Sequence, residues 1–402
     1  MKKLLQINTV CNSGSTGRIA EEIGLLAIKN GWQSYIAYGR GNRPSASNKY
    51  RIGSNFDMYL NALKTRLFDI EGFTAKQATL KLIQYIQQIK PDLIQLHNLH
   101  GYYLNINILF RYLSSVNIPI VWTLHDCWAF TGHCVHFEYV NCNKWKTACY
   151  RCPQKTEYPS SFFLDNSKRN FQIKKRLFTS TKNLHIITPS EWLSDLVKQS
   201  FLSKYPISII NNGVDLKVFH YTQLSEIRQK YHLGLNKIIL GVAGIWSERK
   251  GLKYFDELNS LIAKNTQIVL VGLSKKQINQ LPKGILGIER TENVNELAAL
   301  YSLADVFVNP TLEDNFPTTN IEAMACGTPI ITFKTGGSIE SVSPSTGLIV
   351  PQGDIVKLKE AIDIILAKNK ETYKIMCIER VNKLYNSSEL YNEYLSLYNQ
   401  LI

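Results

Sequence analysis

Two acidic side chains separated by seven residues, Asp314 and Glu322, stand in a segment over 309–329 that reads as strand, loop, short helix and turn. A carboxylate at the start of such a helix can accept both hydroxyls of a ribose, and the N–H groups around Asn315–Thr318, a stretch that includes Phe316 and Pro317, can hold a sugar or phosphate oxygen. A second loop, Gly244 to Gly251, follows a strand pattern and opens a helix. Its Arg249 and Lys250 can neutralise a diphosphate and offset the charge that develops when a bond to that diphosphate breaks. Near the start, 11–18 reads Cys-Asn-Ser-Gly-Ser-Thr-Gly-Arg after the first strand. There Gly14 and Gly17 let the backbone approach an anion at a helix start. The dinucleotide-binding fingerprint is not met, since the third glycine is missing and no acid ends the second strand. Histidines close two strand patterns, His97 and His100 after 92–96 and His125 after 118–124, all aimed at the ligand edge of a parallel sheet.

Five of the eight cysteines fall within 127–152. Cys149 and Cys152 have knuckle spacing, and Cys134 and Cys142 would complete a four-thiolate zinc site. A partial disulfide set and free thiols are the alternatives, with disulfides disfavoured in a cytosolic chain. The segment 126–159 carrying them reads as an insertion, poor in aliphatic residues, which metal would help to fold.

These groups need rigid elements to hold them. Short β-branched runs alternate with helical patterns along the whole chain, the signature of parallel α/β sheets. Strands are expected at 4–8, 34–38, 93–96, 118–124, 185–188 and 208–210, then at 238–243, 267–271, 306–308, 330–332 and 348–350. The two series give two similar domains, 1–210 and 211–385, followed by a helix over 386–402 with Tyr391, Tyr394, Leu395 and Tyr398 on one face. Facing carboxyl edges of two such sheets would make a deep cleft.

The net charge of +14 is one-sided: residues 1–185 hold 24 basic against 10 acidic side chains, and the remainder balances. A basic first half points to an anionic partner such as a membrane face or a diphosphate. Lys64 and Arg66 on one helix, and Lys168, Arg169, Lys174, Lys175 and Arg176 on another, are expected to lie against anionic lipid. No apolar run approaches membrane-spanning length, and the first residues read as a strand rather than a signal peptide. A cytoplasmic chain, peripheral on the inner face of the inner membrane, is expected. No basic stripe interleaved with aromatics appears, so a nucleic-acid partner is not expected.

The segment Glu322-Ala-Met-Ala-Cys-Gly-Thr-Pro329 with Asp314 resembles the acid-x7-acid signature of family 4 glycosyltransferases of the GT-B fold. So do Pro189–Trp192, Asn212–Asp215, Arg249–Gly251, Leu300–Asp305, Gly336–Gly337 and Gly347–Asp354, in order and across essentially the whole chain. The resemblance implies two Rossmann-like domains, the second binding a UDP- or GDP-linked sugar and the first receiving the acceptor. It implies that Glu322 binds the donor ribose and that Asp314 lies near the donor sugar. Arg249, Lys250 and the Gly14–Gly17 loop would contact the diphosphate, and His125 would lie near the reaction centre. It implies retention of configuration by front-face attack, with no metal required. The Cys- and Trp-rich loop is similar to a subgroup in bacterial surface-polysaccharide pathways (O-antigen, capsule or exopolysaccharide). An oligosaccharide acceptor linked to a polyprenyl diphosphate is therefore expected.

Two positions depart from that pattern. The first acid is Asp314 rather than Glu, with Glu313 one residue early, and Gly244-Ile245 stands where Gly-Arg is usual. An epimerase or phosphorylase of the same architecture, or a basic zinc-bearing nucleic-acid-binding protein, are the competing readings.

Overall fold

The computed structural model describes residues 1–222 and 225–402. The chain divides into two units, Met1–Asn211 with Tyr391–Ile402, and Asn212–Leu390. The first is built on strands β1 (Lys3–Cys11), β2 (Gln33–Asn42), β3 (Asn48–Arg51), β4 (Leu93–Leu96), β5 (Ile120–Thr123), β6 (Leu184–Thr188) and β7 (Ile207–Ile209). The second holds β8 (Lys237–Val242), β9 (Thr266–Val271), β10 (Ile285–Ile288), β11 (Val306–Asn309), β12 (Ile330–Phe333) and β13 (Gly347–Val350).

Every strand pair is parallel. The orders are β3-β2-β1-β4-β5-β6-β7 and β10-β9-β8-β11-β12-β13, two Rossmann-like sheets of the GT-B class. Helices cover both faces of such sheets, so central strands are mostly apolar: β5, β11 and β12 are wholly buried. In each sheet the order reverses between two adjacent strands, β1 and β4 in one, β8 and β11 in the other. Beyond the carboxyl ends of those strands a doubly wound sheet opens its ligand crevice. The glycine loop, His97, the Arg249-Lys250 turn and the Asp314 loop follow β1, β4, β8 and β11 respectively.

The tyrosine stripe of the C-terminal helix is buried in the first unit. The Tyr398 hydroxyl donates to Gln95 Oε1 (2.9 Å), and Tyr394 meets Thr123 at 3.3 Å. The edge strand β3 carries no apolar signal in its sequence, Asn-Lys-Tyr-Arg, and is missing from the expected set.

The cysteine-rich loop is held differently from what its lack of aliphatic residues suggests. Phe137 stacks on Trp145 at 5.0 Å and Phe130 packs on both, so aromatics supply its core. Lys174 corrects the reading of its helix as a uniformly basic surface. It is 1% exposed, lies over the Trp128 ring at 3.4 Å and donates to the Trp128 and Thr131 carbonyls. Burial drops its ammonium to about 7. Lys168, Arg169, Lys175 and Arg176 on the same helix are exposed.

Candidate functional site

In the second unit three loops at adjacent strand ends are laced together. After β8, a single turn Glu248–Lys250 ends at Gly251, whose φ of +76° suits glycine. A Cβ there would sit 2.0 Å from the Pro310 oxygen, so the two loops touch backbone to backbone. Leu312 N–H donates to the Arg249 carbonyl (2.8 Å), and the Arg249 guanidinium donates to the Glu313 carbonyl. Lys250 forms an ion pair with Asp314. The β12 loop joins through Thr335 Oγ1, which donates to the Leu312 carbonyl (2.9 Å), and Gly337 N–H, which donates to the Asp314 carbonyl. Asn320 cross-braces the site, accepting from Asn309 and donating to Ser341 Oγ (3.0 Å).

Glu322 lies in the helix Thr318–Ala325 that follows, 4% exposed, with its Oε2 accepting from the Tyr301 hydroxyl at 3.1 Å. Asn315, Phe316 and Pro317 are buried in the loop ahead of it. The Phe316 carbonyl accepts from Asn212 Nδ2 (3.0 Å) and its ring packs on Tyr385. Arg249, Lys250, Asp314 and the 315–317 turn are thus fixed in one patch, with Glu322 on the helix leading out of it.

Gly251→Ala is expected to cost at least about 2 kcal/mol, since it combines a left-handed alanine with a clash against Pro310. A lowered melting temperature, and weaker donor binding as the Arg249-Lys250 turn is pushed off, would be the readout. An unchanged melting temperature would mean the two loops are not locked together.

In the first unit β1 leads into Gly14 and Gly17 at the start of the helix Gly14–Lys29. Its first turn contains no acid and has no side-chain cap, so its N–H groups suit an anion. Beside it, the histidines of β4 and β5 meet: His97 Nδ1 and His125 Nε2 are 3.1 Å apart, and His97 Nε2 is 3.1 Å from Gln6 Oε1. Gln6 Nε2 donates to the Ala20 carbonyl (2.7 Å), so its oxygen faces His97 as an acceptor. His97 therefore carries its proton on Nε2 and accepts from His125 through Nδ1. His125 must then be the Nε2–H tautomer, with its lone pair on Nδ1.

Burial, aided by the His125 neighbour, holds His97 well below the ordinary imidazole range. Burial likewise takes His125 to about 4, against the pull of Asp126. At neutral pH His125 is a hydrogen-bond acceptor at Nδ1 and not a cation. Unfolded histidine takes up a proton near 6.5, so both rings withdraw stability as pH falls from about 6.5 toward 4. Burial alone would lower His133, but the hydrogen bond and charge of Asp69 outweigh it and raise the ring, so it acts in the opposite sense, its contribution present in acid and lost as pH rises through its folded value. Histidine-labelled NMR is expected to show the His125 ring untitrated between pH 7 and 5. A midpoint near 6.5 would contradict the assignment.

The neighbouring cluster was not legible as a unit. His100 Nε2 meets Asp126 Oδ2 at 2.7 Å, and His100 Nδ1 meets the Tyr158 hydroxyl at 3.0 Å. Burial favours a protonated Asp126, but the charge and hydrogen bond of His100 outweigh it and hold the carboxyl at about 2. Glu71 caps the same corner, accepting from the Gly101 and Tyr102 N–H groups (2.7 and 3.0 Å). Nothing near Glu71, Tyr158 or Lys174 in sequence signals these roles, because every partner lies far along the chain.

Cys134, Cys142, Cys149 and Cys152 line one small cavity, and all eight cysteines are free thiols. Cys149 Sγ accepts from Gly132 N–H at 3.2 Å, and Cys134 hydrogen-bonds to Cys152. Among the described residues no three His, Cys, Asp or Glu side chains form a metal-ligand set as they stand.

Two family models divide the chain. "Glycosyltransferase Family 4" matches residues 29–218 and "Glycosyl transferases group 1" matches residues 236–368. The chain belongs to the family 4 glycosyltransferases. The transferase is 24% identical to the putative colanic acid biosynthesis glycosyl transferase WcaC of Escherichia coli, over 99% of this chain and 100% of that one. It is 27% identical to a Campylobacter jejuni N,N'-diacetylbacillosaminyl-diphospho-undecaprenol alpha-1,3-N-acetylgalactosaminyltransferase, over 64% of this chain and 73% of the other. Among solved structures, Anabaena HepE in complex with UDP-glucose superposes with a TM-score of 0.70 at 14% identity, covering 100% of both chains. Sucrose-phosphate synthase from Thermosynechococcus elongatus superposes with a TM-score of 0.74 at 19% identity, covering 100% of this chain and 99% of that one. The family identifies the chain as a glycosyltransferase.

Proposed function

We propose that the transferase moves a sugar, with retention, from a UDP- or GDP-linked donor to a lipid-linked oligosaccharide of a growing surface polysaccharide. The observation that carries this is the locked patch of Arg249, Lys250, Asp314 and the 315–317 turn, with Glu322 on the next helix. Cations suit a diphosphate, a carboxylate suits a ribose diol, and backbone N–H groups suit sugar oxygens. Glu322 holds the ribose, Lys250 and Arg249 hold the diphosphate, and Asp314 orients the donor sugar. In the first unit the Gly14–Gly17 turn offers N–H groups to phosphate oxygens, and His125 lies near the reaction centre.

The bond from the anomeric carbon to the phosphate oxygen breaks while the acceptor hydroxyl oxygen bonds that carbon on the same face. The hydroxyl proton passes to the departing phosphate oxygen, so the protein supplies charge and position rather than a nucleophile. The diphospho-undecaprenol in the name of the Campylobacter relative supports a polyprenyl diphosphate as the acceptor's carrier.

Peripheral contact with the cytoplasmic face of the inner membrane belongs to the same proposal. Its support is the helix Asn55–Phe68, where Phe56 (69% exposed), Tyr59 (76%) and Leu63 lie beside exposed Lys64 and Arg66. Among the described residues no helix is long and apolar enough to cross a membrane. Structural zinc on Cys134, Cys142, Cys149 and Cys152 is proposed from their spacing and shared cavity. Zn–S bonds of about 2.3 Å would require the sulfurs to draw together, and metal analysis of the purified protein, at one zinc per chain or none, decides it.

Product analysis tests the transfer itself. A new glycosidic bond with the donor's anomeric configuration is expected on a diphosphate-linked acceptor. An inverted bond, an epimerised nucleotide sugar, or phosphate as the sugar acceptor would overturn the reading.

A further inference from the structure

A groove of ≈ 850 Å³ in the first unit has no part in the transfer chemistry proposed above. It lies between the helices Asn55–Phe68 and Lys76–Ile89 and the end of β3, and Arg51, Lys64, Lys76 and Lys81 line it. One carboxylate, Asp57, also lines it, but that group already accepts from the Ser54 N–H (2.9 Å) and hydroxyl (2.7 Å) as a capping box. Among the described residues Lys64, Lys76 and Lys81 make no ion pair at contact distance.

Two further features point into this groove. The helix Lys76–Ile89 is 14 residues long, starts from an alanine in the left-handed region with no side-chain cap, and has no acid in its first turn. Alanine is among the poorest N-cap residues, so those N–H groups and the positive helix end are left for an anion. Thr74, which lines the groove, is 6% exposed, and its Oγ1 is buried with no hydrogen-bond partner among the described residues. A buried hydroxyl without a partner is costly unless a ligand supplies one.

The helix that lends Asp57, Asn61 and Lys64 to the groove exposes Phe56, Tyr59, Leu60 and Leu63 along an adjoining face. Cations around an uncapped helix start, next to an apolar stripe, match a phosphate head joined to a hydrocarbon chain. We propose that this groove binds the diphosphate of the lipid-linked acceptor, with Lys64, Lys76, Thr74 and the start of the Lys76–Ile89 helix as its contacts. The inference rests on the acceptor reading above for the ligand's identity, and on the groove's own residues for its chemistry.

The test is methyl NMR on the full-length protein, observing Ile70 and Ala78, which line the groove. Titration with inorganic pyrophosphate is expected to move both signals to saturation. Farnesyl diphosphate should move them at lower concentration, since its chain can cover the apolar stripe. Lys64→Gln with Lys76→Gln is expected to weaken pyrophosphate binding by about tenfold or more, the worth of a charge-assisted hydrogen bond or two. Thr74→Val, which keeps the shape and removes the unpartnered hydroxyl, should weaken binding without lowering the melting temperature.

Ile70 and Ala78 signals that stay still, or an unchanged affinity in the double variant, would overturn the proposal. Phosphatidylglycerol vesicles separate the two sources of phosphate. Vesicle binding lost in the double variant, with no response to either soluble diphosphate, would make the groove a bilayer-headgroup site and overturn the acceptor assignment. Nucleotide-sugar binding is followed separately in the second unit. A protein that takes the donor but no pyrophosphate refutes this inference alone, and the reverse outcome refutes the donor reading alone.

Discussion

Glu322→Ala is expected to abolish measurable transfer while the protein remains folded. A carboxylate holding both ribose hydroxyls contributes two charge-assisted hydrogen bonds of about 1.5–3 kcal/mol each, so their loss weakens donor binding by roughly 10²–10⁴-fold. The cost to the fold is smaller. The substitution removes a hydrogen-bond acceptor of the Tyr301 hydroxyl, about 1–3 kcal/mol against a total stability of about 5–15 kcal/mol. Glu322→Gln keeps the shape and an oxygen for Tyr301 but loses the charge, and should fall between the two. Melting temperature, donor affinity and turnover measured together separate a lost site from a lost fold. Near-normal turnover in the alanine variant would remove Glu322 from the donor site.

Lys250→Met is expected to lower kcat by roughly 10²–10³-fold, the effect of removing one preorganised charge from a developing anion. Negative charge grows on the diphosphate as the anomeric bond breaks, so the loss should fall more on kcat than on donor affinity. Lys250 is paired with Asp314, which is largely buried, and methionine takes that counter-charge away. A modest drop in melting temperature is therefore expected alongside the kinetic loss. Lys250→Arg restores the charge and should recover part of kcat. Equal losses in the arginine and methionine variants would show that Lys250 acts only as a structural partner of Asp314.

The positions that could be read from sequence are those where one strand end carries its own chemistry. Gly251 closes a turn that needs a left-handed backbone, and the Arg249-Lys250 pair sits directly ahead of it, so a local pattern encodes the whole device. Glu322 and Asp314 belong to one loop and helix, again within reach of local reading. The continuous apolar runs of β5, β11 and β12 announce buried parallel strands, whereas the polar edge strand β3 offers neither alternation nor an apolar run.

What escaped is what the fold assembles from distant pieces. Lys174 looks like one more member of a basic helix until Trp128 covers it from 46 residues away. The tautomer of His125 depends on Gln6, inside β1, through His97, and only the β1-β4-β5 order brings the three side by side. The aromatic core of the cysteine loop was hidden for a related reason. Phe130, Phe137 and Trp145 are spaced without helical or strand period, and only tertiary packing joins them.

The most direct test is a thermal-shift panel of UDP-, GDP-, ADP- and CMP-linked sugars on the wild-type protein and on Glu322→Ala. A ligand that binds only the native state raises the melting temperature by mass action. One nucleotide sugar stabilising the wild type at micromolar concentration, with the shift lost in Glu322→Ala, is the predicted result. No shift with any donor, or a full shift retained in the variant, would contradict a nucleotide-sugar site built around Glu322.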